Sequence, residues 1–96
     1  MNLNFLIQAT RVLSVDNYDD EELELITNFM IAADEDLLSD FNNTCTILSY
    51  DNDLELYLEI LGTLIVVYEQ REEYEVCELI KNKMSEALEI INKKTI

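Results

Sequence analysis

The chain has 96 residues, 49% of them hydrophobic, with 21 Asp plus Glu, six Lys plus Arg, no His and a formal charge of −15. That balance argues against binding to nucleic acid or to an anionic membrane surface, both of which need a basic footprint. The aliphatic content excludes a disordered acidic tail, and the length fits one small domain spanning residues 1–96.

With no proline and one glycine, Gly62, the sequence lacks the turn punctuation of strand-rich folds. It predicts an all-α fold, a small single-domain bundle of about four helices joined by short polar turns. Segment one, about Leu3 to Ser14, places Leu3, Leu6, Ile7, Thr10, Leu13 and Ser14 near helical spacing. Asp16 or Asn17 is the expected cap of the next helix.

Segment two runs from about Tyr18 to Phe41. Its stripe is Leu23, Ile26, Met30, Ala33, Leu37 and Phe41, widened by Leu25, Phe29 and Ala32. Asp34-Glu35-Asp36 offers a second helix start, but the apolar phase continues across Ala33, so one helix is expected. Residues 42–53 form the main irregular stretch, in which Cys45 to Tyr50 is read as a turn plugging the core. Asp51-Asn52-Asp53 supplies caps, with Asn52 and Glu55 at capping-box spacing. The same residues begin like a calcium loop, but Leu56 replaces its glycine and Gly62 its last acidic ligand.

Segment three, about Asp53 to Glu69, is polar after its cap only at Glu55, Glu59 and Thr63. A helix apolar on most of its circumference is covered on most sides, as a central helix or in an interface between copies. Gly62 would be offset by a close helix contact. Segment four, about Glu72 to Lys93, carries Tyr74, Cys77, Ile80 or Leu79, Met84, Ala87 or Leu88, and Ile91. Tyr68 and Tyr74 lie six residues apart, which rotates an ideal helix by about 240° and predicts a turn within Glu69 to Glu73. One long helix is the alternative, since Val67 and Tyr74 keep heptad spacing. The hairpin resembles a tetratricopeptide unit at Leu61-Gly62, Tyr68, Tyr74 and Cys77. The offsets between these residues differ from that pattern, Arg71 or Glu72 replaces the turn glycine and Met84 stands where a small residue belongs, so the segment is read as a helical hairpin only and no family is assigned.

No catalytic set is expected. There is no His, no glycine-rich phosphate loop and no nucleophile elbow. Cys45 and Cys77 are expected to be reduced and buried, with no metal or cofactor site. The N-terminus lacks a charged n-region and the longest charge-free apolar run, Ile60 to Tyr68, is too short to span a membrane. The expected location is therefore the cytoplasm, that of the host if the protein is viral.

The charge is unevenly placed. No base occurs from Val12 to Gln70, a stretch of fifty-nine residues that holds fifteen carboxylates. An ordinary solvated helix face mixes Lys with Glu, because pairs one turn apart stabilise it and like charges do not. The candidate partner-binding residues are Asp20, Glu21, Glu24, Asp34, Glu35, Asp36 and Asp40. Repeated carboxylates at helical spacing imitate the charge of a nucleic-acid backbone. The expected function is a non-enzymatic inhibitor or adaptor that docks on a basic protein surface, such as the groove of a nucleic-acid-binding enzyme. In size, acidity and lack of a catalytic set the chain resembles, as a class, phage-encoded nucleic-acid mimics and anti-defence proteins. The alternative is an assembly module, with Tyr57, Leu61, Tyr68 and Tyr74 as the candidate oligomer interface, including a homodimer.

Overall fold

The computed structural model describes residues 3–15, 17–46 and 49–94, with side-chain surroundings from 5 to 93. Five helices follow in order: α1 Leu3–Val15, α2 Asp20–Ala32, α3 Glu35–Asn42, α4 Asp53–Gln70 and α5 Tyr74–Lys94. The radius of gyration is 13.0 Å, close to the roughly 12.5 Å of a compact chain of this length, so no helix stands apart.

α4 is the axis. It packs against all four other helices and buries Leu54, Leu56, Tyr57, Ile60, Leu61, Leu64 and Tyr68. Most of its apolar circumference is thus used inside one chain, although Val66 is 52% exposed. α1 covers it with Leu6 and Ala9, flanked by Phe5, Val12 and Leu13. The core side of α1 is therefore rotated from the expected stripe, and Ser14 is exposed. Phe5 stacks on Phe29 of α2, with ring centroids 4.1 Å apart.

Segment two is two helices, not one. Ala33 is extended (φ −61°, ψ 124°), and the Asp34 carboxylate accepts from the Leu37 N–H at 2.9 Å to start α3. A local cap competes with apolar continuity here and prevails. The break also advances the buried phase by one residue, so that Leu38 is fully buried with Phe41 while Leu37 is half-buried. Leu25, expected to widen the stripe, is 66% exposed. The start of α2 is capped by Asp19 rather than Asn17, with a reciprocal box to Glu22. Asp16, the other expected cap, lies outside the described residues.

Two turns hold the rest. Between α4 and α5, the Glu73 N–H donates to Tyr68 O and the Glu72 N–H to Glu69 O, at 2.9 and 3.0 Å. This is a Schellman closure, and it places Glu72 at φ 60°, where glycine is the usual residue. The expected turn is present, and α4 and α5 form a hairpin. Between α3 and α4, Asp53 is 2% exposed and works as a hub. Its carboxylate accepts from the Thr46 N–H at 2.8 Å and from the hydroxyls of Thr44 and Thr46 at 2.8 and 2.9 Å. Its own N–H donates to Thr44 O at 2.8 Å. Asn52 caps α4 by accepting from Glu55 N–H, whereas the Glu55 carboxylate reaches back to Asp51 N–H, so the expected box is only half formed. The expected core plug is not seen at Cys45, which is exposed. Ile47 and Leu48 lie outside the described residues. Cys77 is buried as expected.

Gly62 meets no close helix. A Cβ built there would have no neighbour within 4 Å. Gly62→Ala is therefore expected to stabilise the protein by about 1 kcal/mol in urea unfolding, through helix propensity alone. Tyr57 lies at the centre of the core, and its hydroxyl donates to Met30 O. Burial, and secondarily the Glu86 charge, push its phenol well above the ordinary tyrosine value. A raised folded-state value contributes stability that is complete below the unfolded value of about 10 and lost as pH climbs beyond it. Thermal stability is expected to fall above about pH 10, and Tyr57→Phe should flatten that alkaline limb.

Candidate functional site

The acidic residues picked out by sequence are carried by α2 and α3, which together form an arm lying alongside α5. Three polar contacts join the arm to α5 and the turn before it, while burial of Leu23, Ile26, Met30, Leu38 and Phe41 holds it in place. Near the start of α5, Arg71 Nη1 lies 3.0 Å from Asp20 Oδ1. Midway, Lys83 Nζ donates to Ala33 O at the end of α2 and pairs with Glu86 at 2.9 Å. Near the end of α5, Lys93 lies 4.0 Å from Glu35. The middle contact places a cation against the negative end of the α2 dipole, which has no basic residue in its own last turn.

Nine carboxylates of the arm are exposed: Asp19, Asp20, Glu21, Glu22, Glu24, Asp34, Glu35, Asp36 and Asp40. Asp19 and Asp34 are occupied as helix caps, and Asp20 and Glu35 face cations of α5 or its preceding turn. Among the described residues, Glu21, Glu24, Asp36 and Asp40 take part in no ion pair. The break at Ala33 means that the seven expected residues do not share one helix face. They divide into a set on α2 and a set at the start and along the length of α3.

The set on α2 borders a groove of about 450 Å³ between α2 and the hairpin of α4 and α5. Asp20 and Glu24 stand on one wall, with Arg71 and Glu73 contributed by the hairpin turn. The interior sets Ile31, Val76 and Leu79 beside the polar Thr27, Asn28 and Tyr68, with Leu23 buried beneath them. Its floor is fixed by a chain of hydroxyls. Thr27 Oγ1 donates its single proton to Leu23 O at 2.8 Å, so Tyr68 Oη, also 2.8 Å away, is the donor to Thr27. Glu73 escaped sequence reasoning, because residues 71–96 are nearly neutral in total and it lies fifty-three positions from Asp20. The local signal was the Glu72-Glu73-x-Glu75 run.

Of the candidate oligomer residues, Tyr68 is in the floor of this groove and Tyr57, Leu61 and Tyr74 lie elsewhere. Tyr57 and Leu61 have no exposed surface and Tyr68 is 7% exposed, so all three belong to the core of the single chain and offer nothing to a second copy. Tyr74 alone of the four is at the surface, 63% exposed. Tyr50 is half-buried and donates to the Glu59 carboxylate, a bond that holds its phenol above the ordinary value. No described helix is long and apolar enough to cross a membrane. Comparison with protein-family models, curated proteins and solved structures finds no match to this chain.

Proposed function

We propose that the protein is a non-enzymatic binding module that presents the carboxylates of the α2–α3 arm to a basic protein surface, of the kind that nucleic-acid-binding enzymes carry. The observation that carries this reading is the exposure of nine carboxylates on the arm, with which, among the described residues, only Arg71 and Lys93 form ion pairs. Like charges one turn apart destabilise a helix, so their retention without interspersed lysine favours a use for the field itself. Such a field speeds encounter with a basic partner and makes it sensitive to salt. The mode is competitive, with carboxylates taking the place of phosphates in the partner's groove, as in an inhibitor of a nuclease, polymerase or defence complex. The assembly alternative is disfavoured by the burial of Tyr57, Leu61 and Tyr68.

A pull-down from host lysate at low salt, eluted by a salt step, tests the reading. It expects a basic nucleic-acid-binding protein in the step. Recovery of a partner that stays bound at high salt would favour assembly through apolar surface instead.

A further inference from the structure

We propose that the groove between α2 and α5 is the docking site for a basic amphipathic helix of the partner protein. This rests on the acidic-surface reading and adds to it a place and a kind of recognition element. The wall from Asp20 to Ile31 covers eleven helical steps, about 16 Å, or three turns of a docked helix. Helices lay an apolar face into such grooves with anchors at i, i+3, i+4 and i+7. The interior offers those anchors a matching surface. Leu79 is 51% exposed and Val76 and Ile31 are half-buried, so an aliphatic strip lies open to solvent along the groove.

Charge selects the occupant. Asp20 and Arg71 pair with and neutralise each other, which leaves Glu24 on the wall and Glu73 at the turn as the two uncompensated charges of the groove. A helix with leucines on one face and lysines or arginines on its flanks meets complementary groups at both levels. A nucleic acid, an anionic membrane and a second copy of this chain at −15 all meet repulsion. The Thr27–Tyr68 bond fixes the floor in advance, so docking requires no rearrangement of α2 against α4.

The test uses the full chain and two labelled peptides of about 14 residues, four helical turns each, in fluorescence anisotropy at low salt. One carries Leu at helical spacing among Lys and Arg; the other has the same composition with the leucines shuffled. The amphipathic peptide is expected to bind at least about tenfold more tightly than the shuffled one. Leu79→Ser, a change at an exposed position, should weaken the amphipathic peptide by a similar factor and leave the shuffled one unchanged. Equal binding of the two peptides, or indifference to Leu79→Ser, overturns the groove assignment while the acidic-surface reading stands. Absence of binding by both peptides removes the two together.

Discussion

Reversing three charges, Glu21→Lys, Glu24→Lys and Asp36→Lys, is expected to weaken binding to a basic partner at least about a hundredfold, near 2.7 kcal/mol. All three residues are exposed, and none forms an ion pair, a cap or a hydrogen bond among the described residues. The substitution therefore removes no contact that holds the fold. Relief of repulsion within the arm is offset by the loss of Glu21 and Asp36 from the first turns of α2 and α3, where they favour the helix dipoles, so the melting temperature is expected to stay nearly unchanged at low salt. Loss of binding together with unchanged or increased stability is the signature sought in parallel calorimetry and affinity measurements. A structural role for these carboxylates would show the reverse, a lower melting temperature with binding retained.

The largest expected effect on stability comes from Asp53. Asp53→Ala leaves one backbone N–H and two hydroxyls of the connection between α3 and α4 without their common acceptor. Thr44 and Thr46 are exposed, so their hydroxyls can turn toward water, and Thr44 keeps Asp40 O as an acceptor; the loss falls mainly on the Thr46 N–H, and a cost of about 1–3 kcal/mol is expected. Against a total stability of roughly 5–15 kcal/mol for a domain, that is a large fraction. Urea unfolding measures it, with Asp36→Ala as the exposed control expected to change stability by less than about 0.5 kcal/mol. A loss below about 1 kcal/mol for Asp53→Ala would mean that the connection holds its shape without the carboxylate.

These two sites differ in how far the sequence disclosed them. The helices were legible because apolar spacing, the scarcity of glycine and the absence of proline all point the same way, and α4 was legible as the central helix from its near-continuous apolar run. The break at Ala33 was harder to read. Apolar periodicity and the Asp34 cap give opposite signals there, and only packing against α5, with Lys83 reaching Ala33 O, shows which prevails. Asp53 looked like one acid among several at a helix start. Its burial depends on the two threonines folding back over it, which spacing does not encode.

The candidate site was half legible. Charge counting located the acidic block on segment two, and each carboxylate named there is indeed at the surface. It did not show that α2 would face the turn between α4 and α5, because Asp20 and Arg71 meet only in three dimensions. Leu79 and Leu88 were read as alternatives to Ile80 and Ala87 on the core stripe, whereas Cys77, Ile80 and Ala87 occupy the core and leave Leu79 and Leu88 outside. Tyr57 and Tyr68 lie in the core for a related reason. A helix with few polar positions can be surrounded by four others from the same chain, and α4 is.

The central claim is that the field of the α2–α3 arm drives association. The most direct measurement is the affinity of the purified protein for its captured basic partner as ionic strength rises from about 0.01 to 0.15 M, over which the screening length falls from about 30 to 8 Å. Affinity is expected to drop by tenfold or more, and the triple charge reversal to abolish most of this dependence. An affinity that stays constant across that range would contradict it.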